Sequence, residues 1–575
     1  MVSFLKANMG QPLLSIRNLT VSFPAHQGRH EAVSDVSFDL DRGTSLGIVG
    51  ESGSGKSLTA LSILRLLPPA SRVDSGSVLY QAEDAPPVDI LQSGQKQMRS
   101  IRGRHISMIF QEPMTSLNPV HTCGDQVREM MLNHMDYTRK EAREKAIEWF
   151  REVELPNPGR IFNSYPHELS GGQRQRVMIA MAISCEPRLL IADEPTTALD
   201  VTIQQSILQL LRKLRERYQM SLIFISHDLG VVSGVADELA VMYQGRIVEQ
   251  GRRQQVIQEP SDDYTRGLIA CRPPVDHKPQ RLYTLSDFSL KTNREPTPVS
   301  RPGEESSARP TDDAAMMFEL KDLSKYFDLE TDFFGRPVQR LQALDRVSLG
   351  IPKGLTMGLV GESGSGKSTL ARVLLQLIFP DGGSMRYKGN DVSVFGKKEM
   401  RSFRQQVQIV FQDPYSTLNP RLSVGSMIAE PLVYYRYVGN RRERQERVVE
   451  ILENVRLGAD YYHRYPHELS GGQRQRVAIA RVLALNPEFV ILDEAVSALD
   501  VSIQAEILNL LQDLKRQYNL TYVFITHDFS VVRFMSDTIA VMKEGRIIET
   551  GDSEQLFRSP ASDYTQRLLE SIPSL

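Results

Sequence analysis

GESGSGKS stands at Gly50 to Ser57, and the same eight letters return at Gly361 to Ser368. In each copy the glycines, Gly50, Gly53 and Gly55 or Gly361, Gly364 and Gly366, let the backbone turn so that successive N–H groups face one point. The dipole of a following helix reinforces that cradle for phosphate. Lys56 and Lys367 are placed to reach the β- and γ-phosphates, and the Ser57 and Ser368 hydroxyls to ligate Mg²⁺, so ATP with Mg²⁺ is the expected ligand. One such loop fixes few residues and is a moderate signal. Two, each trailed by the same motifs in the same order, predict two nucleotide-handling modules in one chain.

Working outward, the repeat can be followed residue by residue. The two loop lysines are 311 positions apart, Gln111 and Gln412 are 301 apart, and Ser170 and Ser470 are 300 apart, an offset that holds from there to the end of each half. The first half therefore carries about ten extra residues before Gln111, expected as a surface loop within Gln81 to Gln97. Between the halves, seven prolines from Pro273 to Pro310 punctuate a polar stretch, which reads as an extended, mobile tether. The boundaries predicted are a first module over 1–272, a linker over 273–315 and a second module over 316–575.

Within each half, short apolar strands alternate with helical segments. Ser45 to Val49, Leu189 to Ala192 and Leu222 to Ile225 read as buried strands, and Thr202 to Tyr218 places Ile203, Ile207, Leu210, Leu211 and Leu214 on one helical face. The fold class is thus α/β, a phosphate-loop core in each module. Charged, mostly helical sequence over Pro113–Ser170 and Pro414–Ser470 predicts an inserted helical subdomain.

Further motifs supply the chemistry. The apolar strands LLIADE and FVILDE end in paired acids: Asp193 and Asp493 suit Mg²⁺ coordination through water, and Glu194 and Glu494 suit polarising an attacking water. His227 and His527 follow strands and can hold the γ-phosphate and sense its loss. Gln111 and Gln412 read as Mg²⁺ and water contacts tied to a moving subdomain. LSGGQRQR recurs at Leu169 to Arg176 and Leu469 to Arg476; in it Ser170, Gly172 and Gln173, or Ser470, Gly472 and Gln473, open a helix and make a second anion-binding end. A module with its own phosphate loop does not need that end on the same nucleotide, so each is assigned to the γ-phosphate held by the other half.

Composition bounds the rest. At 575 residues, more than one core is required. Lys plus Arg (68) and Asp plus Glu (70) leave a net charge of −2, so no broad basic field marks nucleic acid as a partner. Cys123, Cys185 and Cys271 are scattered and odd in number, which fits neither a disulfide framework nor a metal cluster and suits a reducing cytosol. No apolar run reaches the ~18 residues of a membrane span, and Met1 to Gln11 lacks the apolar core of a secretory signal. Service to a membrane therefore requires docking onto other subunits.

Taken together the motifs resemble those of ABC-transporter ATPases, over both halves and nearly the whole chain. The resemblance implies two tandem ABC modules, each a RecA-like core with a helical subdomain, and adds the Ala198-Leu199-Asp200 turn with its repeat at Asp500. It places Phe23 and Phe327 where an aromatic ring stacks on adenine. It also implies head-to-tail pairing, with Lys56, Gln111, Glu194 and His227 facing Ser470 and Gly472, and Lys367, Gln412, Glu494 and His527 facing Ser170 and Gly172. Both sites are expected to hydrolyse; Ala495 in place of Pro195 is a departure that leaves the acids intact.

EPMTSLNP and DPYSTLNP after the glutamines, with PSDDYTRGL and PASDYTQRL near each module's end, resemble the ATPases of bacterial dipeptide, oligopeptide and nickel importers. DEAVSALDVSI at Asp493 to Ile503 looks most like the glutathione importers of that branch. The implied partners are two integral-membrane permeases and, through them, an extracytoplasmic substrate-binding protein, at the cytoplasmic face of the bacterial inner membrane. Some relatives hold an iron-sulfur cluster on a cysteine group; Cys271 stands alone, so none is expected. The alternative is a soluble twin-ABC ATPase acting on ribosomes. Those join their modules by a long charged helix, whereas Pro273 to Pro310 breaks helices repeatedly. Twin-ABC DNA-repair ATPases need zinc-binding cysteine pairs, which are absent.

Overall fold

The structure is a computed structural model that describes residues 12–25, 28–82, 86–111, 116–196, 199–288, 315–331, 337–413, 417–497 and 499–572. Among the described residues the first module contains ten strands: β1 (Leu14–Ala25), β2 (Gly28–Leu40), β3 (Ser45–Val49), β4 (Arg72–Tyr80), β5 (Val88–Asp89), β6 (Ile106–Ile109), β7 (Leu189–Asp193), β8 (Ser221–Ser226), β9 (Glu238–Tyr243) and β10 (Arg246–Arg252). They form two sheets, ordered β2-β1-β4-β5 and β10-β9-β3-β8-β7-β6. The first is antiparallel. In the second, all neighbours are parallel except β9 and β10.

The sequence explains the difference. All residues of β3, β7 and β8 are buried, as strands covered on both faces must be, and their sequences are accordingly apolar runs without alternation. Chain direction then does the positioning. Because β3, β6, β7 and β8 run the same way, Gly50, Gln111, Glu194 and His227, which follow their carboxyl ends, gather at one edge of the sheet.

One apolar core fills the space between the two sheets, and a second lies between the large sheet and the helices. The helix Val201–Tyr218 buries Ile207, Leu210, Leu211 and Leu214, with Ile203 half-buried. The helical subdomain comprises Cys123–His134, Arg139–Glu152 and Pro158–Asn163. Its second helix starts at a capping box in which Thr138 accepts from Glu141 N and the Glu141 carboxylate accepts in return.

The second module repeats the plan with β11 (Met316–Thr331), β12 (Pro337–Pro352), β13 (Thr356–Val360), β14 (Gly382–Tyr387), β15 (Asn390–Asp391), β16 (Val407–Val410), β17 (Phe489–Asp493), β18 (Thr521–Ile525), β19 (Thr538–Lys543) and β20 (Arg546–Asp552). The sheets are ordered β12-β11-β14-β15 and β16-β17-β18-β13-β19-β20.

Two expectations change. The extra residues of the first half are split. Seven residues, Gln81 to Pro87, join β4 to β5 where only Lys388 and Gly389 join β14 to β15, and further ones lie between Lys56 and Tyr80. Both places border the small antiparallel sheet, where added length meets solvent rather than core.

The stretch after Cys271 is also not a free tether throughout. Cys271 and Leu282 are buried in the second module's core. The Leu282 backbone exchanges two 2.9 Å hydrogen bonds with the Asn509 side chain, and Lys278 donates to the Ser536 carbonyl at 2.6 Å. The Arg533 guanidinium donates to the Val275 carbonyl. Residues 289–314, where most of the expected tether lies, are outside the described residues. Among those described, no helix is long and apolar enough to cross a membrane.

Candidate nucleotide sites

Each phosphate loop ends on a left-handed glycine, Gly55 (φ 99°) or Gly366 (φ 106°), which starts the helix behind it. A Cβ there would lie 2.7 Å from the Ala32 carbonyl or 2.6 Å from that of Ala343, so only glycine fits. Lys56 Nζ donates to the carbonyls of Gly50 (2.7 Å) and Glu51 (2.9 Å), and Lys367 Nζ to those of Gly361 (2.6 Å) and Glu362 (2.7 Å). Burial pulls both ammonium pKa values down, against the surrounding carboxylates that favour the charge. Lys367 Nζ also reaches Ser365 Oγ at 3.4 Å. A buried cation held by loop oxygens is ready to exchange them for phosphate oxygens.

Ser57 Oγ donates to Asp193 Oδ1 at 3.1 Å. Burial pushes Asp193 up to about 6, with the Ser57 hydrogen bond opposing, and burial raises Asp493 as well. A hydroxyl and a desolvated carboxylate side by side are hard oxygen donors, and this set fits Mg²⁺.

Glu194 and Glu494 follow at φ 45° and 46°, a left-handed conformation that non-glycine residues seldom adopt. Their N–H groups bond the Ile225 and Ile525 carbonyls at 2.9 Å, which holds the turn. Gln111 Nε2 donates to Glu194 Oε2 at 3.1 Å, and His227 Nδ1 lies 3.4 Å from the same oxygen. In the second module Gln412 donates to Glu494 at 2.7 Å and His527 lies 3.7 Å away. Burial alone would lower both imidazole pKa values, but the hydrogen bond and charge of Glu194 or Glu494 outweigh it and raise them. Conversely, burial would raise Glu494, and the His527 hydrogen bond brings it below the usual carboxylate value.

Residues of one half reach the loop of the other. Asp500 Oδ1 accepts from Ser52 N (3.0 Å) and Ser52 Oγ (2.9 Å), and Asp200 Oδ2 accepts from Ser363 N (2.9 Å). The Ser502 hydroxyl donates to Glu51, whose carboxyl is pushed up to about 7 by burial and by the Asp500 and Glu506 charges. His227 and His527 line one cavity between the halves, with Ser497 and Thr196. Lys367, Ser368, Glu494 and Phe327 share another. Phe23 sits half-buried on β1, opposite His30.

Ser170 and Ser470 each begin a helix through a capping box with Gln173 or Gln473. Gly172 and Gly472 lie against Ile203 and Ile503, where a Cβ would come within 2.9 and 2.4 Å. Both serines are exposed, and among the described residues no hydrogen bond joins either to the opposite loop.

One pair of contacts was not foreseen from sequence. Tyr264 and Tyr564, in the PSDDYTRGL and PASDYTQRL elements, accept hydrogen bonds from Glu51 N (3.1 Å) and Glu362 N (3.3 Å) of their own modules' loops. These partners lie 213 and 202 positions apart, beyond any local pattern.

Cys271 is fully buried among apolar side chains, and burial pushes its thiol up to about 12. Among the described residues no group of three or more His, Cys, Asp or Glu is arranged to hold a metal ion.

Two phosphate loops, two acid-ended strands and two carboxylate–histidine pairs define a twin-cassette nucleoside triphosphatase. Residues 33–197 and 344–497 match the ABC transporter family, and 248–296 and 548–575 match the C-terminal region of oligopeptide/dipeptide transporters. The glutathione import ATP-binding protein GsiA of Escherichia coli (strain K12) is 44% identical over 562 residues, 98% of this chain and 89% of its own length. GsiA of Pectobacterium atrosepticum is 43% identical over the same shares. A solved ATP-binding cassette in a dimeric post-hydrolysis state with ADP and Pi is 31% identical, covering 41% of this chain and 99% of its own, with a TM-score of 0.37. The chain belongs to the ABC transporter family, and it is an ATP-binding ATPase of the oligopeptide/dipeptide type. These matches give the ribosome-acting alternative no support.

Proposed function

We propose that this chain powers the uptake of glutathione or a short peptide, closing its two halves head-to-tail around two ATP molecules. The observation that carries the pairing is reciprocal: Asp500 grips the Lys56 loop while Asp200 grips the Lys367 loop. The peptide assignment is supported by the 44% identity to proteins named for glutathione import and by the C-terminal region matched in both halves.

In this reading Lys56, Gln111, Glu194 and His227 act with Ser470, Gly472 and Gln473, and Lys367, Gln412, Glu494 and His527 with Ser170, Gly172 and Gln173. Phe23 and Phe327 stack on adenine. Each lysine leaves its two carbonyls for phosphate oxygens when ATP enters. Ser57, Asp193 and Gln111, or Ser368, Asp493 and Gln412, would hold Mg²⁺, which would supply charge neutralisation at the phosphates. Glu194 takes a hydrogen bond from the attacking water and orients it. The water oxygen bonds the γ-phosphorus, the bond to the bridging oxygen of ADP breaks, and the water's proton passes to the carboxylate or the departing phosphate. Gln111, which donates to Glu194, leads into the helical subdomain, and that contact links the chemistry to the subdomain's movement.

That movement is passed to the partners, two permease subunits served by an extracytoplasmic binding protein, with the chain peripheral at the cytoplasmic face of the bacterial inner membrane. A groove of about 520 Å³ beside Phe411, Leu418, Tyr434 and Tyr435 supports this reading as a seat for a permease helix. The test is reconstitution with the co-purifying permeases and measurement of ATPase stimulation by binding protein loaded with glutathione, dipeptide, longer peptide or Ni²⁺. Stimulation by glutathione or dipeptide is expected; stimulation by Ni²⁺ alone would sink the peptide assignment.

A further inference from the structure

The Tyr-Thr elements end on the phosphate loops, and what they do there can be worked out from the loop's own donors. Of the N–H groups at the root of the first loop, that of Glu51 goes to the Tyr264 hydroxyl and that of Ser52 to Asp500 of the other half. At the second loop the N–H of Glu362 goes to Tyr564 and that of Ser363 to Asp200. The root donors are thus anchored by two acceptors, one from the module's own C-terminal helix and one from the opposite half. Further along, Ser54 N and Ser365 N close the turn on the Glu51 and Glu362 carbonyls at 3.0 and 3.1 Å.

The anchors are themselves braced. Glu249 on β10 accepts from Ser261 N and Oγ (both 2.8 Å) and Asp262 N (3.2 Å), fixing the turn that opens the helix Asp263–Ala270. Glu549 on β20 does the same through Ala561 N (2.8 Å), Ser562 N (3.1 Å) and Thr565 Oγ1 (2.6 Å). The Tyr264 ring stacks on Tyr243 with centroids 4.2 Å apart, and Lys543 Nζ lies 5.0 Å from the centroid of the Tyr564 ring. Burial pushes both phenols up, Tyr564 to about 12, so each stays neutral and keeps its oxygen available as an acceptor.

We propose that Tyr264 and Tyr564 are positioning residues for ATP binding: their hydroxyls hold the root of each phosphate loop in the shape that accepts phosphate. The C-terminal element thereby sets nucleotide affinity as well as filling space. Removing the hydroxyl leaves a loop N–H without its acceptor and releases the root to other conformations.

Tyr264→Phe and Tyr564→Phe keep the rings and remove only the hydroxyls. In the full chain without permeases, KM for ATP hydrolysis and the affinity for a fluorescent ATP analogue should each weaken ~5-fold, with kcat within ~2-fold of the parent and Tm without nucleotide unchanged. An unchanged KM overturns the proposal, whether or not Tm falls, because the tyrosines would then only pack. A fall in kcat at constant KM overturns it equally. Neither readout involves permease or solute, so the result is independent of the peptide assignment.

Discussion

The two halves carry the same motif residues, yet the surroundings of the two sites differ. The Glu194 side chain is 8% exposed and that of Glu494 19%. Asp500 is buried and accepts two hydrogen bonds from Ser52, whereas Asp200 is half-buried and accepts one from Ser363. Ser57 bonds Asp193, while Ser368 is exposed. Glu51 of the same loop accepts a further cross-half bond, from Ser502. The segment after Cys271 packs Leu285 and Phe288 beside Gly267 of the first module and is hydrogen-bonded by the second, where Asn509 receives it; the corresponding Gln209 is exposed. Identical motifs are thus set in unequal packing, and the loop around Lys56 is gripped more firmly by the opposite half.

The largest effect tests whether both sites work at all. Glu194→Gln combined with Glu494→Gln should lower ATP turnover ~100-fold or more and trap a closed, ATP-loaded chain. Undiminished turnover would contradict the assigned role of both carboxylates. The single variants sharpen the comparison, because equal losses would mean that unequal burial does not reach the chemistry.

Next comes the asymmetric clasp. Leu282→Ala removes a buried side chain from the second module's core and should cost ~2–4 kcal/mol in denaturant unfolding. Gln209→Ala, at the exposed counterpart of Asn509, should stay within ~0.5 kcal/mol. Similar losses at the two positions would break the claimed asymmetry.

The pH dependence should also be one-sided. Glu51 titrates near 7 in the folded chain, against 4.5 for its ordinary value, so the native state binds more protons than the unfolded chain between those values. Stability from this group is full below about 4.5 and declines as pH rises to about 7, by on the order of 1–2 kcal/mol after solvent screening. Unfolding measured across pH 4–8 should lose that slope in Glu51→Gln. A slope that persists assigns the titration elsewhere.

The smallest effect concerns the crossing aspartates. Asp500→Ala should raise KM for ATP ~5-fold and Asp200→Ala ~2-fold, in proportion to the hydrogen bonds each removes. The reverse order would show that the count of cross-half bonds does not measure the grip.

Much of this architecture was legible in the chain. The strands Ser45–Val49, Leu189–Asp193 and Ser221–Ser226 were readable because burial on both faces demands continuous apolar runs, and the helix Val201–Tyr218 because its buried face repeats at helical spacing. Gln111, Glu194 and His227 were recognisable from motif order, and parallel strands then bring them to one edge. The insertion was legible in length but not in place, since a change of offset counts residues without saying which turns absorb them. The docking of Leu282 on Asn509 left no local signal, because a proline-rich polar stretch reads as tether whatever it touches.

The sequence by itself therefore determined two α/β modules, their phosphate loops, their acids and histidines, and a doubled ATPase of the importer type. It could do so because those features depend on residue type, period and short spacing. Only the tertiary structure decided that Asp500 and Asp200 cross to the opposite loops, that Tyr264 and Tyr564 return to their own, and that the two grips are unequal. Those contacts join residues hundreds of positions apart, and they exist only once separate cores have set the distances between surfaces.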